Sequence, residues 1–262
     1  LDRFVVYADV LGFKQLVLAH RTAAAETLGH RRMNARRMLA SVRYGNPLQR
    51  QFKTFHETLD NAITNINWAD EATVAVFSDS LFLATSESLH CATFCEELMR
   101  VCMMNDVTIR IGVGFGSFVV NDFAFEAGQK LKVVTTQFLG TGVVYAVDAE
   151  KALKGMRIAL HPSAADMLEP PTQGTVRRLP LPAEEAGENA SHEWNYLPSG
   201  RITVPVASSP KHLDARAFID HVQRLRAAAP NDPTVQVHYE ATLAAMNRMT
   251  PHLRNDWFRP GR

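Results

Sequence analysis

The run VTIRIGVGFGSFVV, Val107 to Val120, constrains this chain more than any other stretch. β-Branched and aromatic residues fill it, as a long strand in a pleated sheet requires. Gly112, Gly114 and Gly116 interrupt the apolar pattern. Glycine weakens a strand interior, so its presence marks a place where a neighbouring backbone comes close. A dinucleotide-binding fingerprint has similar spacing, but it must leave a strand and open a helix, whereas this run ends inside an apolar strand. Arg110 is a phosphate-contact candidate if it faces a ligand, with an edge salt bridge as the alternative.

The neighbouring segments supply the rest of a sheet. Residues 3–9 read as a first strand, and Phe13, Leu16, Val17 and His20 begin an amphipathic helix reaching about Leu28. An Arg-rich segment continues to the breaker Tyr44-Gly45-Asn46-Pro47, and Phe52 to Ile66 reads as helix. Ala72–Phe77 and Leu81–Thr85, joined by Ser78-Asp79-Ser80, read as a hairpin. A helix spans Ser88 to about Met104, another spans Gly140 to Leu153, and Met156–Leu160 is a strand. Thr175–Leu179 and Glu193–Leu197 are later strands around an acidic loop, and the chain turns helical from Leu213. The order predicts an α+β fold of the split-βαβ type, with helices on one face of a mixed sheet.

The 262 residues, 46% hydrophobic, suffice for one large domain or a domain with an appendage. Net charge is +1, so there is no global signal for a polyanionic partner. Arg31, Arg32, Arg36, Arg37, Arg43 and Arg50 cluster without interleaved aromatics, which reads as a solvated face or a cationic wall for a phosphate-bearing ligand rather than a nucleic-acid surface. No apolar run reaches membrane-spanning length and no signal-peptide pattern is read. Cys91, Cys95 and Cys102 fall on one helical stripe with Phe94 and Leu98, the pattern of a buried core rather than a zinc site. Clustered thiols point to a reducing, cytoplasmic setting.

Two acidic residues stand against this apolar background. Asp9 ends the first strand and Asp79 sits at the hairpin turn. Each alone is an ordinary strand-end or turn residue. In a split-βαβ sheet the first strand lies beside the hairpin, which brings the two carboxylates together. Such a pair favours a hard divalent cation, Mg²⁺ or Mn²⁺, held together with substrate phosphates.

Three stretches, Ala-Asp-Val-Leu-Gly-Phe (8–13), Ser-Asp-Ser-Leu-Phe-Leu (78–83) and Ile-Arg-Ile-Gly-Val-Gly-Phe-Gly (109–116), together resemble the class III nucleotidyl cyclases. The resemblance covers about residues 3–160. It implies a catalytic domain over residues 1–205, an Arg-rich insertion at about 29–50, and a helical C-terminal appendage at 206–262 packed on it. It further implies that Asp9 and Asp79 hold two divalent ions with the Val10 carbonyl. The amides of Leu11, Gly12 and Phe13 would cradle a triphosphate whose ribose 3′-hydroxyl attacks the α-phosphorus.

The purine-reading positions of that family hold Ala75 and Gln137 here, and the positions of its Asn/Arg pair hold Val144 and Asp148. With the run at 140–150, this combination resembles the bacterial pyrimidine cyclases of the Pycsar antiphage defence system. Those are soluble homodimers that make cyclic UMP or cyclic CMP for a separate effector protein. A Gln suits the edge of uracil or cytosine, and the resemblance implies UTP as substrate with CTP as the alternative. An adenylyl or guanylyl cyclase with an unusual base pocket and a catalytically inactive nucleotide-binding module stay open. The missing Arg implies a substitute among Arg43 with Tyr44, Arg100, Arg177 and Arg178.

Overall fold

The computed structural model describes residues 1–12, 47–64, 66–68, 72–77, 79–127, 131–168, 177–198, 202–204, 211–229 and 233–252. Strand β1 (Asp2–Val10) is followed by helix α1 (Pro47–Thr64), the hairpin strands β2 (Thr73–Val76) and β3 (Ser80–Thr85), and helix α2 (Ser88–Met104). Then come β4 (Ile109–Ser117), β5 (Val119–Ala127), β6 (Leu131–Leu139) and α3 (Thr141–Ala152). After β7 (Ile158–Leu160), α4 (Pro162–Met167), β8 (Arg177–Pro180) and β9 (His192–Asn195) lie the short pair β10 (Ile202–Val204) and β11 (Lys211–Leu213). Helices α5 (Ala215–Ala228) and α6 (Pro233–Met249) follow.

Seven strands form one mixed sheet in the order β2-β3-β1-β4-β7-β9-β8, an α+β arrangement with β1 near its centre. β1 pairs antiparallel with β3 and β4, and β4 pairs parallel with β7. Alternation gives each strand two faces. One carries Val6, Ala8, Leu83, Ile109, Ile111 and Val113, all fully buried with Phe94, Cys95, Leu98 and Met99 of α2. The three cysteines lie here, buried as the stripe predicts, and burial pushes the Cys102 thiol well above its usual range.

The expectation of helices on one face needs correction, because α3 covers the second. The glycines of β4 explain its close approach. A Cβ at Gly112 would stand 2.1 Å from the Ala146 carbonyl oxygen, and one at Gly114 would stand 2.6 Å from the Ala146 nitrogen. The long strand also ends sooner than the sequence suggests: β4 stops at Ser117, and Val119 starts a hairpin of β5 and β6 in which the two strands pair only with each other among the described residues.

The C-terminal helices belong to the main core. Phe218, Val222, Ala245, Met246 and Met249 are fully buried in the cluster that holds Val6 and Ile111. No helix of the described residues is long and apolar enough to cross a membrane.

One buried charge gives this core a pH dependence. Glu96 on α2 is 6% exposed. One carboxylate oxygen lies 2.6 Å from Arg100, and the other has no hydrogen-bond partner among the described residues. Burial pushes its carboxyl up to about 7, against the pull of Arg100. The folded chain therefore holds this proton more tightly than the unfolded chain. Stability is fully present below the ordinary value of 4.5 and declines as pH rises through about 7. The loss is on the order of 3 kcal/mol. Glu96→Gln is expected to remove that part of the decline in urea titrations at pH 5 and pH 8. A variant that tracks the parent at both pH values would show that Glu96 carries no such cost.

Candidate active site

The site forms where β1 ends. Register places Asp9 between Ser80 of β3 and Arg110 of β4. The chain is then pinned on both sides: Val10 N–H donates to the Asp79 carbonyl at 2.9 Å and Leu11 N–H donates to the Thr108 carbonyl at 2.8 Å. The two expected carboxylates thus stand on adjoining backbone. Asp9 alternates away from the core residues Ala8 and Val10 and lies on the α3 face, half-buried. Gly12 follows with φ +77°, a conformation that favours glycine. Among the described residues a Cβ there would meet no atom within 4 Å, so it is the backbone turn that favours glycine.

Burial, and then neighbouring negative charge, set the electrostatics of Asp9. Burial pushes the Asp9 carboxyl up to about 6, reinforced by the charges of Glu150 and then Asp79, while Arg110 opposes. Glu150 escaped recognition as a site neighbour. It is buried on α3, where it pairs with Arg110. Tyr7, two residues before Asp9 on the same face, is pushed up to about 12 by burial and then by the Asp9 charge. Beside it runs an aromatic panel: Tyr7 and Phe82 with centroids 4.7 Å apart, Phe82 stacked on Phe138 at 6.2 Å, and the exposed Phe77 edge-on to both.

Several expected site residues stand elsewhere. Arg110 does not offer its donors to a triphosphate: Nε and one terminal nitrogen bond Glu150, and the other terminal nitrogen donates to the Leu153 carbonyl at 3.0 Å. The Leu11 amide is likewise taken, by Thr108. Arg100 lies on α2, across the sheet from Asp9, and donates to the Tyr196 carbonyl at 2.6 Å. Arg177 and Arg178 sit on β8, four strands from β1, about 19 Å away at ordinary strand spacing. Arg178 bonds the Ala165 carbonyl there.

Ala75 is the cross-strand partner of Phe82 and shares the Asp9 face. Gln137 is exposed opposite Asn121, and alternation turns it away from the panel that its neighbour Phe138 joins. The two base-reading candidates are therefore not brought together within the chain. Phe13, Arg43 and Tyr44 lie outside the described residues.

The donor set fits a hard divalent cation. Asp9 and Asp79 would supply carboxylate oxygens and Val10, next to Asp9, a carbonyl; the Asp9 carboxyl is raised by burial and then by the charges of Glu150 and Asp79, which a cation would offset. Among the described residues no group of three His, Cys, Asp or Glu side chains forms a metal cage. An ion here would therefore rely on the two carboxylates, backbone oxygen and ligand phosphates.

No protein-family model and no curated protein matches the chain. Among solved structures, an adenylate cyclase from Trypanosoma brucei in its monomeric state shares 12% identity, with 81% of this chain and 95% of that chain covered and a TM-score of 0.46. The guanylyl cyclase domain of the RhoGC fusion protein from the aquatic fungus Blastocladiella emersonii shares 12% identity over 74% of this chain and 94% of that one, with a TM-score of 0.44. The adenylyl cyclase CyaB from P. aeruginosa shares 12% identity over 74% of this chain and 92% of that one, with a TM-score of 0.43.

Proposed function

We propose that the chain is a divalent-metal-dependent nucleotidyl cyclase that converts UTP to 3′,5′-cyclic UMP and pyrophosphate. The observation that carries this reading is the junction of Asp9 and Asp79, joined through the 2.9 Å bond from Val10 N–H to the Asp79 carbonyl. Asp9, Asp79 and the Val10 carbonyl would hold Mg²⁺ or Mn²⁺, two per site, which when bound would neutralise charge on the attacking and leaving oxygens. The turn at Gly12 would offer its amide to the triphosphate. By fixing where those cations sit, Asp9 and Asp79 would set the triphosphate in line with the ribose 3′-hydroxyl; the 3′-oxygen bonds to the α-phosphorus as its bond to pyrophosphate breaks and the hydroxyl proton passes to water, so positioning and charge carry the reaction.

The base side supports a pyrimidine. Ala75 on the Asp9 face presents a methyl group where a purine cyclase places a Lys or Glu, and the aromatic panel beside it offers stacking area. CTP is the alternative substrate, since no donor or acceptor at Ala75 separates the two pyrimidines. By the same resemblance, the enzyme works as a cytoplasmic homodimer in antiphage defence and its product is read by a separate effector. The division into residues 1–205 and a C-terminal helical part stands as part of this proposal.

A second reading, an inactive nucleotide-binding module, draws on the commitment of Arg100, Arg110 and Arg178 to partners within the chain. The substitution Asp79→Asn separates the two. Under the enzyme reading it lowers turnover by at least about a hundredfold, the cost of removing a group that stabilises developing charge, with the fold retained by circular dichroism. Full turnover in the folded variant would overturn the metal assignment.

A further inference from the structure

Helix α6 reaches the site through the turn that joins α3 to β7. His238 Nδ1 accepts the backbone N–H of Gly155 at 3.1 Å. Thr242 Oγ1 accepts that of Met156 at 2.8 Å and donates to the His238 carbonyl at 2.7 Å. Gly155 has φ +87°, and a Cβ there would stand 2.7 Å from both the His238 carbonyl oxygen and Thr242 Oγ1. The turn therefore presses directly on the backbone of α6. Two residues upstream, the Leu153 carbonyl accepts from Arg110 at 3.0 Å. Arg110 is the cross-strand partner of Asp9 and holds Glu150. A short series of hydrogen bonds thus runs from α6 to the side chain beside Asp9.

Accepting from Gly155 requires an unprotonated Nδ1, so the neutral ring carries its proton on Nε2. Burial, then the positive charges of Arg110 and Lys154, hold His238 below its ordinary range and keep this acceptor in place at neutral pH.

We propose that His238 is a positioning residue: by holding the Leu153–Met156 turn it fixes Arg110 and Glu150, and through them the end of β1 that carries Asp9. The C-terminal helix is then a support of the reacting end rather than an appendage. This rests on the reading of Asp9 and Asp79 as that end. Groups that orient active ligands from one step away change binding or activity by about 10–100-fold when removed.

The test compares His238→Leu, which removes the acceptor, with His238→Asn, whose Oδ1 stands near the place of Nδ1. Amide hydrogen exchange is measured in the metal-free full chain, and kcat and KM with nucleotide and Mn²⁺. In His238→Leu, exchange at Val10 and Leu11 is expected to quicken about tenfold along with that at Gly155, and kcat to fall about tenfold with KM little changed. His238→Asn is expected to restore both. Faster exchange confined to residues 155 and 156, or an Asn variant as impaired as the Leu variant, would overturn the proposal. A parent chain that turns over no nucleotide would sink the cyclase reading instead, and exchange at Val10 and Leu11 would still decide the positioning role. If His238→Leu does not fold, His238→Gln, whose acceptor is displaced by one bond, takes its place in the comparison.

Discussion

Replacing Arg157 with Met is expected to cost about 3–5 kcal/mol of stability, the usual loss when one partner of a buried ion pair is removed. Arg157 starts the short segment leading into β7 and is 1% exposed, the largest of the fully buried side chains. Its Nε donates to Glu193 Oε2 at 2.8 Å. Its two terminal nitrogens clamp Glu185 at 3.0 and 2.8 Å. Arg248 of α6 closes the network with bonds to Glu193 at 3.0 Å and Glu185 at 3.2 Å. Glu193 is fully buried, so loss of Arg157 strands a carboxylate that Arg248, one-third exposed, compensates only in part.

The double variant Arg157→Met/Glu193→Leu is expected to regain most of the loss, because an apolar pair of similar volume removes the desolvation cost together with the attraction. Urea unfolding reads both. A single variant within 1 kcal/mol of the parent would show that the network does not hold β7, β9 and α6 together.

Gly112→Val is expected to cost somewhat less stability and to act on the site as well. A Cβ at residue 112 would stand 2.1 Å from the Ala146 carbonyl oxygen and 2.3 Å from the Glu150 nitrogen, both backbone atoms. No side-chain rotation relieves that overlap, so α3 must shift away from the sheet. Overpacking of this kind costs about 1–3 kcal/mol and occasionally more. The shift also parts Glu150 from Arg110, which are held by an ion pair beside Asp9. Thermal unfolding and turnover are expected to fall together. Unchanged melting would mean that α3 does not depend on a bare strand.

Much of this was legible in the sequence because its signals are local. The apolar run of β1, the hairpin around Asp79 and the glycines of β4 each announce themselves within a few residues. Chain order alone sets β1 beside the hairpin, which is how two ordinary acidic residues became a pair. What escaped depends on distant contacts. Glu150 belongs to the 140–150 run, and nothing local to that run announces the Arg110 that β4 brings to it.

Arg157 gave no sign of burial, since charged residues go inside only when paired, and its partners lie 28 and 36 residues away. The β5–β6 hairpin was missed because strand periodicity continues through Phe118 and says nothing of where a strand leaves its sheet. The late arginines looked equivalent in sequence, and only strand order moves Arg177 and Arg178 to the far edge. The C-terminal helices read as an appendage packed on the main domain, but their apolar stripes do not say where, and it is the core of β1 and β4 that they fill.

The most direct test of the central claim is turnover. The full chain is incubated separately with ATP, GTP, CTP and UTP in the presence of Mn²⁺ or Mg²⁺, and the products are identified by mass spectrometry. The account predicts 3′,5′-cyclic UMP and pyrophosphate from UTP, with metal required. A cyclic product from ATP or GTP alone, or no cyclic product from any of the four with nucleotide and metal bound, would contradict it.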